Sequence, residues 1–98
     1  MNTYVIRREK AWETEDDLGK AGDRSKEVAE TEFPDDIAWI RSYVVKEEGG
    51  TLGSVCVYQA TSIDKVREHA KRADMPADVV IEVADTVIVR PDPEPAAA

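Results

Sequence analysis

The chain carries one histidine, His69, within the stretch VREHAKRADMP at residues 66–76. An imidazole is a common ligand of divalent metals, and near neutral pH it also serves as a general acid or base. On a helix, its neighbours three and four positions away would be Lys65, Val66, Arg72 and Ala73. None of these is an ordinary metal ligand, so a metal site at His69 needs carboxylates, Cys56 or Tyr58 from other elements. The alternative is a histidine at the margin of the core that binds nothing.

The other side chains that could form a binding site lie in two stretches typical of strands, IRSYVV and SVCVYQA. Arg41, Tyr43, Cys56 and Tyr58 are the candidates for a ligand pocket. Cys56 is the single cysteine, which excludes an internal disulfide, and a thiol between two valines is typical of core packing. Aromatic residues at alternate strand positions are also typical of a dimer core. No phosphate loop, nucleophile elbow or dinucleotide fingerprint is present, which favours a protein that is not an enzyme.

The charge balance bears on the partners. The chain has 13 Lys and Arg residues and 21 Asp and Glu residues, so its net charge is −8. This charge repels the phosphates of nucleic acid. No apolar run approaches the length of a membrane span, and the start of the chain reads as a strand rather than as a signal peptide. We therefore expect a cytoplasmic protein that binds neither nucleic acid nor membrane.

Six elements are predicted along the chain. The first strand covers residues 3–8, and a helix follows that is capped by Thr14 and broken by Pro34. Strands at residues 37–46 and 54–60 form a hairpin around Gly49 and Gly50. A second helix begins after Thr61 or Ser62 and ends near residue 74, and a last strand covers residues 79–90 with an irregularity near residues 84 and 85. On the second helix His69 lies roughly 80° from the centre of the apolar arc, at the edge between core and water.

The order strand, helix, strand, strand, helix, strand is that of a ferredoxin-like βαββαβ sandwich. This α+β fold has a four-stranded antiparallel sheet with two helices on one face. We expect one such domain over residues 1–90 and a flexible tail rich in Pro and Ala over residues 91–98. Strand alternation would put Trp39, Arg41, Tyr43 and Val45 on one face of the sheet. The face without helices is expected to be covered by a second copy in a two-fold homodimer.

Three stretches, WIRSYVV, VCVYQATS and VREHAKRADMPAD, resemble a family of small bacterial ferredoxin-like proteins of unknown function that includes nickel-binding members. The resemblance extends from residue 4 to about residue 92 and is strongest over residues 38–78. It implies a homodimer whose sheets face each other and, in at least some members, bound nickel. The histidine of the family's Arg-Glu-His-Ala motif corresponds to His69. Members that look like metal binders commonly carry another histidine just before Ser-Tyr, where this chain has Arg41.

Two functions from different classes remain open. In the first, a non-enzymatic homodimer binds nickel or another divalent ion through His69 and oxygen ligands. In the second, the protein binds a small molecule in a pocket between helix and sheet, or is an enzyme of the dimeric α+β barrel kind. Arg41 distinguishes the two, because a guanidinium repels a metal ion and suits an anionic ligand.

Overall fold

The structure, a computed structural model, describes residues 1–77 and 79–95. Six elements follow one another: β1 (Asn2–Trp12), α1 (Glu15–Glu32), β2 (Ile37–Lys46), β3 (Leu52–Ala60), α2 (Ile63–Arg72) and β4 (Val79–Glu82). The four strands form one antiparallel sheet in the order β2-β3-β1-β4. The predicted ferredoxin-like α+β fold is confirmed.

Helix and turn positions follow from local side-chain chemistry. The hydroxyl of Thr14 accepts a hydrogen bond from the Asp17 amide at 3.1 Å, so Thr14 caps α1 as predicted. At α2 the Ser62 hydroxyl accepts from the Lys65 amide at 3.3 Å, which selects Ser62 over Thr61 as the cap. Gly49 and Gly50 have φ angles of 89° and 92°, the left-handed region that the hairpin turn requires.

A bulge in β2 decides which side chains face the helices. Trp39 pairs with Tyr58 and Arg41 pairs with Val57, so Ile40 is an extra residue between two adjacent pairs of the ladder. Trp39 therefore lies on the helix face of the sheet, whereas Arg41 and Tyr43 lie on the opposite face. The expectation that Trp39 shares a face with Arg41 is wrong, because simple alternation does not include the bulge.

The last strand is shorter than predicted. β4 ends at Glu82, and the amide of Val83 donates the final hydrogen bond to the carbonyl of Thr3 at 2.8 Å. In this register residue 84 would face Asn2, where β1 begins, so the chain beyond it has no strand to pair with. Residues 83–95 have no regular secondary structure, and the last three residues of the predicted tail, 96–98, lie outside the described residues.

The core lies between the helices and one face of the sheet. Tyr4, Ile6 and Tyr58 from the strands pack with Phe33 and Val66, and all five are at most 5% exposed. On the other face Tyr43, Val79 and Ile81 are each more than 40% exposed. This difference leaves one apolar sheet face open. Among the described residues, no helix has the length and apolar character needed to cross a membrane.

Candidate functional site

Three polar side chains meet in the core between the two helices and the sheet: Ser25 of α1, Tyr58 of β3 and His69 of α2. We call them the helix-face cluster. The hydroxyls of Ser25 and Tyr58 share a hydrogen bond of 3.0 Å, and Nε2 of His69 lies 3.0 Å from the carbonyl oxygen of Ser25. The rings of Phe33 and Tyr58 flank the imidazole, with centroids at 6.1 and 5.5 Å. Each member of the cluster is at most 1% exposed.

These contacts determine the tautomer of His69. A carbonyl oxygen only accepts, so Nε2 carries the hydrogen and donates it to Ser25. Nδ1 of the neutral ring then carries a lone pair, and this buried atom has no hydrogen-bond partner within residues 1–77 and 79–95. The cluster thus contains one unused nitrogen acceptor whose orientation is held by a backbone carbonyl.

The surroundings keep His69 neutral. Burial lowers the pKa of His69 below its ordinary value, and the carbonyl of Ser25 offsets this in part. The charge of Arg8 lowers the pKa of His69 further, while that of Glu32 raises it. Burial also raises the pKa of Tyr58, against the opposing effect of its hydrogen bond to Ser25. At neutral pH both side chains are therefore uncharged.

His69 is buried more deeply than its position on the helical wheel predicts. The ring is 0% exposed, not at the edge between core and water. The wheel counts apolar residues of α2 alone, whereas the flank that carries His69 is covered by the backbone of α1 at Ser25 and by the Phe33 ring. The expectation of a marginal position is wrong for this reason.

A buried arginine lies close to the cluster. Arg8 is 0% exposed; its Nε donates to the carbonyl of Pro76 at 2.6 Å, and its Nη1 donates to Sγ of Cys56 at 3.3 Å. The Cys56 thiol in turn donates to the Ser54 hydroxyl at 3.3 Å. Among the described residues, Nη2 of Arg8 has no hydrogen-bond partner, and no carboxylate forms a salt bridge with this side chain. A buried positive charge that lacks an anion is costly, and the described residues supply none to this guanidinium.

A small cavity opens beside Cys56 and Tyr58, between α1 and the sheet. It has a volume of about 160 Å³, and its walls include Trp12, Trp39 and Met75. Trp39 stacks on Tyr58 with an interplanar angle of 11°, and its Nε1 donates to the Ser42 hydroxyl at 2.8 Å. The cavity is close in size to one that holds a benzene molecule, roughly 150 Å³.

The predicted ligand-pocket residues are divided between the two faces of the sheet. Cys56 and Tyr58 line the helix-face cavity, whereas Arg41 and Tyr43 line a separate hollow of about 650 Å³ on the open face. There the carboxylate of Asp92 accepts hydrogen bonds from Nη1 of Arg41 and from the Tyr43 hydroxyl, the latter at 2.6 Å. We call Arg41, Tyr43 and Asp92 the sheet-face group. A single pocket formed by all four predicted residues is therefore wrong, because the bulge at Ile40 and strand alternation separate them.

Two residues of the site were not selected from the sequence. Arg8 follows Tyr4 and Ile6 at the two-residue period of a strand, which already indicates the core face. Ser25 lies on the small-residue stripe of α1, although nothing in the sequence pairs it with His69. Period-two counting would have found Arg8, whereas the contact of Ser25 depends on how α1 and α2 pack.

The chain thus defines a protein with an open antiparallel sheet, two helices on one face and a buried imidazole beneath them. A sequence model described as "Nickel responsive protein SCO4226-like" matches residues 4–83, and the chain belongs to this family. A crystal structure of SCO4226 from Streptomyces coelicolor A3(2) is similar in fold, with a TM-score of 0.70 at 19% sequence identity. The alignment covers 87% of this chain and 99% of the other. Comparison with curated protein sequences gives no significant match.

Proposed function

We propose that the protein is a non-enzymatic homodimer that binds a divalent ion of the nickel type, with Nδ1 of His69 as a ligand. One observation carries the proposal. The Ser25 carbonyl holds the hydrogen on Nε2 and leaves the buried Nδ1 without a partner in the part of the chain that the structure describes. A histidine that binds a metal through one nitrogen usually donates its other ring N–H to a carbonyl or carboxylate, which orients the ring.

The donor atom of His69 suits a metal of the nickel type. Nickel accepts imidazole nitrogen, and the neutral ring is the form that binds. The net charge of −8 and the charge of Glu32 favour the approach of a cation, whereas the charge of Arg8 opposes it at His69. Within residues 1–77 and 79–95, no three His, Cys, Asp or Glu side chains are grouped to hold a metal. The proposal therefore assigns one ligand from this chain, His69, and leaves the other positions to oxygen ligands such as water.

The homodimer is part of the same proposal. Ile81 and Tyr43 are 55% and 47% exposed on the open face, beside the half-buried Val55 and Val57. A second copy would cover this apolar surface by two-fold symmetry, with the two sheets roughly 10 Å apart. Light scattering at micromolar concentration should give twice the chain mass, and a monomer there would contradict the dimer.

The metal proposal is tested by calorimetric titration of chelator-treated protein with nickel. His69→Gln keeps a side-chain N–H that can reach the Ser25 carbonyl but has no imidazole lone pair. His69→Phe keeps a ring of similar size and removes both nitrogens. We expect stoichiometric binding by the parent chain and the loss of most of the affinity in both variants. Arg67→Ala, on the exposed side of the same helix, is the matched control and should bind as the parent does.

Stoichiometric nickel binding that survives both His69 changes would overturn the ligand assignment. No heat of binding in the parent chain at neutral pH would overturn the metal function. Circular dichroism of each variant should show the folded spectrum, so that a loss of affinity is not caused by unfolding.

A second candidate function is supported by Arg8. Its guanidinium lies against Cys56, a wall of the 160 Å³ cavity, and lacks an anion among the described residues. A small carboxylate with an apolar body of benzene size would suit such a site. Benzoate should then raise the melting temperature of the parent chain and leave that of Arg8→Met unchanged. Equal shifts in the two proteins would contradict this candidate.

A further inference from the structure

Residues 83–92, which we call the C-terminal arm, lie at or beyond the end of the family match at residue 83. The arm leaves the sheet after β4, at one edge, and ends at β2, on the opposite edge. There Asp92 joins Arg41 and Tyr43 in the sheet-face group. The hydrogen bond from Tyr43 has the largest effect on the Asp92 carboxyl and lowers its pKa, and Arg41 lowers the pKa further. At neutral pH the contact therefore joins a carboxylate to the charged guanidinium of Arg41.

The middle of the arm has the composition of a strand but is not paired as one. Its sequence TVIVR, residues 86–90, consists mainly of β-branched residues. Val87, Ile88 and Val89 are 85%, 78% and 84% exposed. In the described part of the chain, the backbone of residues 87–90 makes no hydrogen bond to another backbone group. Three consecutive apolar side chains in water and a backbone without described strand pairing together indicate a missing partner.

The length of the arm explains why it stays exposed within one chain. Its nine Cα–Cα steps can span roughly 30 Å when extended. The distance from β4 to β2 across three strand spacings is only roughly 14 Å. The arm must therefore bow away from its own sheet, and the hollow of about 650 Å³ lies beneath it. The same length is sufficient to reach the edge of a facing sheet roughly 10 Å away.

The surface that the arm would pair with is present on every copy. β2 is an edge strand of the described sheet, so one side of its backbone has no strand neighbour. It carries Arg41, which is complementary in charge to Asp92 of an arm. Because each copy has both the arm and the edge, the contact is self-complementary under two-fold symmetry.

We infer that the C-terminal arms are exchanged in the homodimer: residues 86–90 of each chain add a strand to the free edge of β2 of the other, and Asp92 binds Arg41 across the interface. This inference rests on the homodimer of the proposed function and adds to it the element that clamps the two sheets together. Pairing would satisfy the arm's backbone and cover its three apolar residues. The second copy of this chain is thus the partner of the arm.

Charge exchange between protomers tests the inference. Arg41→Asp and Asp92→Arg, each alone, bring like charges together in an exchanged homodimer. We expect each change to raise the dissociation constant of the dimer by about tenfold. In an equal mixture of the two variants, a heterodimer has opposite charges at both contacts. Sedimentation should therefore show affinity restored to within about twofold of the parent, and native mass spectrometry should show mainly heterodimer. A chain that ends at residue 84 should dissociate about a hundredfold more readily.

Other outcomes overturn the inference in distinguishable ways. A monomeric parent chain would refute both the homodimer and the exchange of arms. A dimer whose affinity is unchanged without the arm keeps the homodimer and refutes the exchange. The dimer affinity could also be restored in the double variant Arg41→Asp with Asp92→Arg but not in the mixture of single variants. In that case the arm binds β2 of its own chain. Glu27→Lys, on an exposed position of α1, provides a matched charge reversal outside the arm contact.

Discussion

His69 of α2 donates a hydrogen bond from Nε2 to the backbone carbonyl of Ser25 in α1 at 3.0 Å. The carbonyl oxygen does not titrate, so it accepts this hydrogen bond at every pH. The buried ring is therefore held in one tautomer, and no described residue forms a hydrogen bond with its Nδ1. Adding a proton to Nδ1 would create a buried cation next to the charge of Arg8. The same contact thus leaves free the lone pair that the proposed function assigns to a metal, and it makes the fold sensitive to acid.

The first prediction is a loss of stability in mild acid. The pKa of His69 is lowered in the folded chain, mainly by burial, from its ordinary value of 6.5, so below that pH the unfolded chain binds more protons than the folded one. The free energy of unfolding should then be highest above pH 6.5 and fall as the pH decreases from there toward the folded pKa. Urea unfolding between pH 7 and pH 5 measures this slope.

His69→Gln should remove that slope between pH 7 and pH 5. The carboxyls of Glu47 and Asp92, whose pKa values are lowered, add their own losses only at more acidic pH, below their ordinary values of 4.5 and 3.8. A parent chain and a His69→Gln variant with identical slopes would contradict a neutral buried histidine.

The second prediction concerns two glycines. A Cβ on Gly53 would lie 2.5 Å from the backbone oxygen of Arg8 and 2.7 Å from Oε2 of Glu47, and the backbone cannot move aside easily. Gly53→Ala should lower the free energy of unfolding by about 2–3 kcal/mol. Gly19 lies inside α1, and nothing lies within 4 Å of the position that a Cβ would take. Because alanine favours a helix more than glycine does, Gly19→Ala should raise the free energy of unfolding by about 0.5–1 kcal/mol. Chemical denaturation of both variants checks the opposite signs.

The order and type of the elements were predictable because they depend on short-range patterns. Thr14 caps α1, Gly49 and Gly50 take positive φ, and β2 has the predicted bounds, Ile37–Lys46. Each of these follows from a side chain acting on its own backbone or from alternation within one strand. Such local rules place residues on elements, but they do not report which elements touch.

The site was predicted only in part because its geometry depends on contacts between distant segments. The bulge at Ile40 moves Trp39 onto Tyr58 and leaves Arg41 on the open face, and no turn or proline in the sequence marks it. His69 was chosen for its chemistry, and its burial comes from α1, more than 40 residues away along the chain. β4 stops where β1 begins, a limit that the strand pattern of residues 83–90 does not contain.

The third prediction tests whether the charge of Arg8 destabilises the fold. Arg8→Met keeps a long unbranched side chain and removes a buried charge that has no described carboxylate partner. The carbonyl of Pro76 loses a donor, but Pro76 is exposed and water can replace it. In urea unfolding without added anions, the free energy of unfolding of Arg8→Met should be within about 1 kcal/mol of the parent value or above it. Arg8→Ala, which leaves a cavity, should lose about 2–4 kcal/mol. If Arg8→Met loses as much as Arg8→Ala, the charge is compensated in the folded protein and the prediction fails.

The last prediction concerns the 3.0 Å hydrogen bond between the hydroxyls of Ser25 and Tyr58. Ser25→Ala leaves the Tyr58 hydroxyl buried without this partner and should cost about 1–3 kcal/mol of unfolding free energy. Tyr58→Phe should cost less, because a helical serine can turn its hydroxyl toward a carbonyl of the preceding turn. The double variant should be more stable than the sum of the two losses implies, by about 0.5–2 kcal/mol, since removing both partners leaves nothing unsatisfied. The same cycle with Tyr43→Phe, on the opposite face of the sheet, should be additive within about 0.5 kcal/mol. Equal coupling in the two cycles would mean that the Ser25 hydroxyl does not bind Tyr58 in solution.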